Sequence, residues 1–402
     1  AYVWQDQAHT CRFAPVASCR FLNPEKLIVF LTEEAEEKIF ADMRTELPAG
    51  LEIQPVAVSL GKDESELWQI FDQVSGAVSP DEEVAFDITH GLRSFPLIGL
   101  LAAAFLRAGL GVSLKAVLYG AYDVRDKSSD PPRTPVFDLS PMLALLEWAT
   151  AAERFNRTGD ARQLSTLVSA QRKQLALSSQ GDHNLLEQVG RLGNLAGALN
   201  SISQSLRLIR PHKVMQEAAG LAELVQAAQA GLERAAAARP FNLVLENIVR
   251  TYAPLAQENP LQEDRLRQTL IVERQLIRWY AEREQWVQAV SLAREWLVSW
   301  VMTCLNLPHL TRRDLRHRIE NVVGAEASDY LAAKKNKSDN TPFTSTFLSS
   351  VPHLDEVLSL WLSLSDVRND IDHAGMREDP GDPQNLIQQI RVSLETIDKL
   401  PL

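Results

Sequence analysis

The sequence predicts two domains, an α/β domain over residues 1–140 and an all-α domain over residues 141–402. Three observations carry this. The first third of the chain alternates short β-branched apolar runs with amphipathic stretches, the texture of βα units around a parallel sheet. Beyond Pro131-Pro132 and a short apolar segment at Val136-Phe137, the chain turns to Leu, Ala, Gln, Glu and Arg with almost no β-branched runs. At 402 residues it is also too long for one ordinary core.

In the first domain the predicted strands are 26–31, 53–59, 83–87 and 113–119. The segments between them, 33–46, 64–74 and 96–108, repeat apolar residues at helical spacing. That order is Rossmann-like. Beyond Ser140 the chain reads as antiparallel helices of ordinary length, interrupted at Gly181, Pro211, Pro240, Pro254, Pro260 and Pro308. The stretch from Trp279-Tyr280 to Trp300 reads as a closely packed helix pair with its aromatic residues in the core. Residues 324–342, with Lys334-Lys335-Asn336-Lys337, are polar and are expected to form an exposed loop.

Composition narrows the function. Forty-five per cent hydrophobic and 23% charged residues describe a folded chain, not a disordered one. A net charge of −11 argues against coating nucleic acid through a broad basic face, while leaving room for a local basic site. The longest apolar run, 97–106, is too short to cross a bilayer, which needs about 20 residues. Cys11, Cys19 and Cys304 lack zinc-ligand spacing and point to a reducing, cytoplasmic compartment, with Cys11 and Cys19 a weak disulfide candidate. The chain opens on Ala1-Tyr2-Val3-Trp4, so its start is read as lying upstream.

The richest local signal is Asp87-Ile88-Thr89-His90-Gly91-Leu92-Arg93-Ser94, where the predicted strand 83–87 passes into an apolar helix. In open α/β sheets ligands bind at the carboxyl ends of strands, because free backbone N–H groups and the helix dipole favour phosphate there. Gly91 permits close backbone approach, Thr89 and Ser94 offer hydroxyls, and Arg93 offers a phosphate fork. The structural alternative is that Thr89 and Ser94 cap the helix, with His90 a satisfied turn residue and Arg93 solvated.

Asp-x-Thr-His-Gly followed by Arg93-Ser94 and Pro96 resembles the signature of the CRISPR-associated DxTHG-motif proteins. Residues 29–35 and 117–121 resemble further strands and turns of that family, so the resemblance covers nearly the whole first domain. It implies a CARF domain, Rossmann-like in fold, that binds a cyclic oligoadenylate made by type III CRISPR complexes. A tetra-adenylate is favoured and a hexa-adenylate is the rival. The implied contacts are Thr32, Thr89, His90, Gly91, Arg93, Tyr119 and Gly120, with Asp87 shaping the turn. The two-fold symmetry of such a ring implies a homodimer. In one respect the chain departs from the family: the first strand and Gly-rich turn expected just before Tyr2 are missing from it.

Near the other end, Arg368-Asn369-Asp370-Ile371-Asp372-His373-Ala374-Gly375 contains Arg-x4-His on a predicted helix. The spacing alone is weak, since Arg207/His212 and Arg312/His317 share it. Pro211 interrupts the first of these, and the second lies in a basic stretch better suited to lining an RNA groove. Arg368-Asn369 followed by His373-Ala374-Gly375 resembles the active helix of HEPN ribonucleases, a domain that DxTHG proteins commonly carry. The resemblance implies cleavage of single-stranded RNA at a composite site of two copies. His373 would exchange protons, Arg368 would stabilise charge on the phosphorane and Asn369 would position backbone or substrate. The expected products are a 2′,3′-cyclic phosphate and a 5′-hydroxyl. Asp370 and Asp372 do not share a helix face with His373, so no metal and no cofactor is expected beyond the allosteric ring. Two alternatives stay open: a sensor whose helical domain is a non-catalytic partner-binding scaffold, and a ring nuclease that degrades its own activator.

Overall fold

Short connections between strands set the topology of the N-terminal part. The computed structural model describes residues 1–91, 94–179, 182–233, 241–307, 310–336, 347–376 and 378–402. Strand β1 (Tyr2–Trp4) turns back through Gln5 and Asp6 into β2 (Gln7–His9), an antiparallel hairpin with Gln5 at φ 51°. After α1 (Ala14–Leu22) come β3 (Lys26–Leu31), a helix built of α2 (Glu33–Ala35), a π-turn over Glu36–Phe40 and α3 (Ala41–Glu46), then β4 (Glu52–Ala57) and α4 (Glu64–Gly76). Strand β5 (Glu83–Asp87), α5 (Phe95–Leu110), β6 (Ser113–Gly120) and β7 (Thr134–Asp138) complete the α/β part.

The predicted strands and helices are therefore present, but the sheet is mixed and not parallel. Its order is β2-β1-β7-β6-β5, with β5–β6 and β1–β7 parallel and β6–β7 antiparallel. The cause is local: β7 returns from β6 without a helical crossover, so it can only pair antiparallel. Strands β3 and β4 form a separate parallel pair in continuous register from Lys26↔Glu52 to Leu31↔Ala57. They adjoin β5 through side chains, with Phe30, Val56 and Phe86 packed on a cluster of Val58, Ile70, Val74, Ile98 and Ala102. Strand β1 lies parallel to β7, with Tyr2 opposite Thr134 and Val3 opposite Pro135.

The remaining chain is helical: α6 (Ser140–Thr158), α7 (Arg162–Ser178), α8 (His183–Arg207), α9 (Pro211–Glu233), α10 (Phe241–Tyr252), α11 (Leu266–Glu282), α12 (Trp286–Cys304), α13 (Arg313–Asn336), α14 (Leu354–Asp372) and α15 (Pro383–Lys399). The chain forms two compact units, Ala1–Glu147 and Trp148–Leu402. Pro211 marks the boundary between α8 and α9 as expected, standing as the first residue of α9, which suits its fixed φ and missing N–H. Trp279, Tyr280, Trp296 and Trp300 are all buried in the α11/α12 pair, and the indoles of Trp296 and Trp300 find acceptors, Leu270 O at 2.8 Å and Pro401 O at 2.7 Å.

The expected loop at 324–342 is corrected as far as it is described. Helix α13 continues through Gly324 to Asn336, because Ile319, Val323 and Ala327 bury one face at four-residue spacing while alanines and lysines favour helix. Residues 337–342 lie outside the described residues. Cys11, Cys19 and Cys304 are all free thiols. Among the described residues no helix is long and apolar enough to cross a membrane.

Candidate functional site

Strand β5 delivers the Asp87–Gly91 turn to the carboxyl end of the sheet beside β6, whose Leu118 O accepts from Ile88 N at 2.9 Å. Asp87 is spent within the protein. Its Oδ1 accepts from Thr89 N at 2.9 Å, closing the turn, and its Oδ2 accepts from Ser18 Oγ at 2.6 Å, tying the turn to α1. Thr89 Oγ1 accepts from Gly120 N at 2.8 Å, which locks the turn to the end of β6 and leaves the hydroxyl proton to donate. His90 is exposed and its Nε2 stands 3.5 Å from Ala14 N, the first helical N–H of α1.

Two glycines are required by geometry. Gly91 has φ +149°, and a Cβ there would meet Phe95 Cβ at 3.0 Å. A Cβ on Gly120 would stand 3.0 Å from Thr89 Cγ2 and 3.1 Å from Tyr2 Cε1. Tyr2 of β1 thus stands beside the contact between Thr89 and Gly120. Burial chiefly, then Cys11, Asp87 and Tyr122, raise its phenol, so Tyr2 keeps its hydroxyl proton. Burial likewise pushes the Cys19 thiol up to about 11. Tyr119 is half-buried at the end of β6, and Thr32 caps α2, its Oγ1 accepting from Ala35 N at 3.4 Å. Arg93, with Leu92, lies outside the described residues.

Of the capping alternative, the partnered His90 is present but the two caps are not. Ser94 makes no side-chain cap at α5, and Thr89 bonds to β6. Ser18, Ala14 and Tyr2 were missed by sequence reasoning. Pro15 just inside the start of α1 is the signal that would have revealed that helix.

In the helical unit, α14 buries Val357, Leu360, Trp361, Leu364 and Val367 along one face, which leaves Arg368 half-exposed and Asn369 exposed. Arg368 Nε lies 3.1 Å from Asp372 Oδ2, one turn on. His373 is not inside the helix as expected but caps its end, its N–H reaching Asn369 O at 3.1 Å. The helix stops there because Ala374 adopts φ +52° and Gly375 φ +66°. Ala374 N donates to Ile371 O and Gly375 N to Asp370 O, both at 2.9 Å, the Schellman arrangement that satisfies the last carbonyls. Asp370 is buried and its Oδ2 accepts from Gly381 N at 3.0 Å, so it anchors the following loop. The side chain of His373 is exposed.

Ala374 occupies a left-handed position that favours glycine. Ala374→Gly should stabilise the helical unit by roughly 0.5–1 kcal/mol, read as a higher urea midpoint at unchanged slope.

The other two Arg-x4-His pairs are otherwise engaged. Arg207 ends α8, while His212 Nε2 lies 3.0 Å from the buried Glu273 Oε1. Arg312 is forked onto Asp314 at 3.2 and 2.5 Å.

Residues 144–255 match the family model described as CRISPR-associated protein MJ1674, second domain. That stretch comprises most of α6, then α7 to α10 and the turn Ala253–Leu255. In it α7 and α8 run antiparallel, joined by Ala161 N to Ser203 Oγ at 3.1 Å and Ser165 Oγ to Ala196 O at 3.0 Å. The chain is also 31% identical over 140 residues to CRISPR-associated protein MJ1674 of Methanocaldococcus jannaschii, a match covering 33% of this chain and 22% of that one. The matched part is thus less than a quarter of that relative's length.

Proposed function

We propose that this chain is a signal-activated, metal-independent endoribonuclease of CRISPR defence. A cyclic oligoadenylate, the tetra-adenylate favoured over the hexa-adenylate, binds the α/β unit at Thr32, Thr89, His90, Gly91, Arg93, Tyr119 and Gly120. Two copies then cut single-stranded RNA with Arg368, Asn369 and His373. The observation that carries the reading is the match of residues 144–255 to a CRISPR-associated family, because that stretch contains neither motif. It is independent of the DxTHG and HEPN resemblances and agrees with them.

Geometry supports each half. At the turn, a donor hydroxyl, an exposed imidazole and an uncapped helix N-terminus sit within a few residues of one another. At the end of α14, an exposed histidine follows a half-exposed arginine, so both side chains can reach a phosphate. Helix α5 leaves Leu97, Leu101 and Phe105 exposed at four-residue spacing, 60%, 52% and 50% respectively. A homodimer would cover that stripe and bring two sensing turns together. Three free thiols fit a reducing cytoplasm.

One observation favours the scaffold reading: Asp372 holds the charge of Arg368 in the single chain. Dimerisation with bound RNA would redirect it, since an exposed pair at this spacing is worth only about 0.3–0.5 kcal/mol.

The sensing half is tested by thermal unfolding with cyclic tetra- and hexa-adenylate. A ligand at 100 times its Kd should stabilise the α/β unit by about 2.7 kcal/mol. No shift with either ring would contradict the assignment.

A further inference from the structure

The basic stretch at 311–318 remains unused by the function above. In the structure its charges divide. Arg312 is forked onto Asp314, and Arg316 is half-buried, its guanidinium reaching Glu295 Oε2 at 2.7 Å, Ser299 Oγ at 2.8 Å and Leu310 O at 2.9 Å. Glu320 is taken by Arg294 at 3.6 Å. Among the described residues Arg313, His317 and Arg318 meet no carboxylate, and all three are exposed. Arg318 instead lies over the ring of Phe347, 5.5 Å from its centroid. Exposed Arg267 of α11 adds its field at this end, lowering the Cys304 thiol against the burial that holds it near 11.

Arg313 stands in the first turn of α13, where the helix dipole disfavours positive charge by about 0.3–1 kcal/mol, and Arg318 follows just beyond it. Among the described residues no ion pair offsets that cost, since the first-turn acid Asp314 is taken by Arg312. In a chain of net charge −11 a local excess of this kind matches an anionic partner. The aromatic ring beneath Arg318 distinguishes that partner: cation and ring together form a surface on which a nucleobase stacks, beside charges that track a phosphate backbone.

The patch is remote from Arg368 and His373. Trp300 Nε1 donates to Pro401 O and Arg391 lies over Trp286, so α15 runs parallel to α12. Ser363 meets Ser393 at 3.0 Å and Asp370 Oδ2 accepts from Gly381 N at 3.0 Å, so α14 runs antiparallel to α15, and hence to α12, and carries His373 toward the Trp286 end of α12. Arg316 meets α12 at Glu295 and Ser299, nearer its other end. From Trp361, which lies under Arg294, His373 is twelve residues further along, about 18 Å.

We propose that the start of α13 is an RNA-docking site distinct from the cutting site, holding the backbone of single-stranded RNA through Arg313, His317 and Arg318 and a base against Phe347. It rests on the reading of the chain as an RNA-cutting enzyme and adds a second point of contact. RNA long enough to reach both places binds more tightly than RNA that reaches only His373.

The test measures anisotropy of a labelled long single-stranded RNA with full-length His373→Ala protein at several salt concentrations. Adding Arg313→Glu with Arg318→Glu should weaken binding roughly ten-fold and flatten the salt slope by about 1.4. Phe347→Ala should weaken binding without changing that slope, and Arg313→Lys with Arg318→Lys should keep it. In the otherwise wild-type enzyme the glutamate pair should raise KM for the long RNA and leave cleavage of an RNA of a few nucleotides unchanged. Unaltered RNA affinity in the glutamate pair, with cleavage intact, overturns the docking site alone. A changed sedimentation coefficient with unaltered RNA affinity assigns the patch to a protein contact and also overturns it. Failure of the His373→Ala protein to bind any RNA removes both this site and the nuclease reading.

Discussion

His373→Ala is expected to lower activator-stimulated RNA cleavage by about 10²–10⁴-fold, the usual contribution of a positioned acid or base. The loss should be catalytic and not structural. The imidazole is exposed, and the residue's part in the fold is through its backbone, with N–H to Asn369 O and its own carbonyl accepting from Met376 N at 2.9 Å. An alanine keeps both bonds, so the melting temperature of the helical unit should not move. Arg368→Ala should cost a similar factor by removing the fork for the phosphorane, and Arg368→Lys should recover only part of it, because a point charge cannot replace bidentate contact. Full activity in either alanine variant would remove the assigned cutting site.

The second large effect is expected at Gly120. Gly120→Val puts a Cβ where Thr89 Cγ2 and Tyr2 Cε1 already stand at 3.0 and 3.1 Å, and neither neighbour can yield easily. Thr89 is held by its bond to Gly120 N, and Tyr2 is buried in β1 between β2 and β7. Overpacking of this kind costs about 1–3 kcal/mol and displaces the turn. Stimulation of cleavage by the activator should fall at least roughly ten-fold, the scale of an ordinary coupling energy between sites. Basal cleavage should persist. Should Gly120→Val fail to fold, Thr89→Val is the gentler probe: it keeps the shape, removes the acceptor for Gly120 N and deprives the ligand of the hydroxyl. Undiminished stimulation in both variants would dissociate the turn from sensing.

Much of the α/β unit was legible because its elements are long enough to display a period. Strands 26–31 and 83–87 fall where alternation and apolar runs place them, and the helix after the turn begins next to Pro96 as expected. The mixed sheet was not legible, since β1 and β2 have three residues each and β7 five, too few for any pattern. Helix α13 was hidden by Gly324 and a run of charges, although Ile319, Val323 and Ala327 kept the four-residue spacing. At the turn, Asp87 and Thr89 could be read as shaping residues, but their partners Ser18 and Gly120 are 69 and 31 residues away. No local signal joins them. The end of α14 escaped for a different reason: alanine is a helix former, and only the Schellman bonds make Ala374 a stop that leaves His373 at the cap.

The account stands or falls on coupling between the two motifs. Its most direct test is cleavage of labelled single-stranded RNA by the purified chain in EDTA, with and without cyclic tetra-adenylate or cyclic hexa-adenylate. The expected result is little cutting without a ring and rapid cutting with one of the two, leaving 2′,3′-cyclic phosphate ends. Cutting that is indifferent to both rings, or no cutting despite tight ring binding, would contradict it.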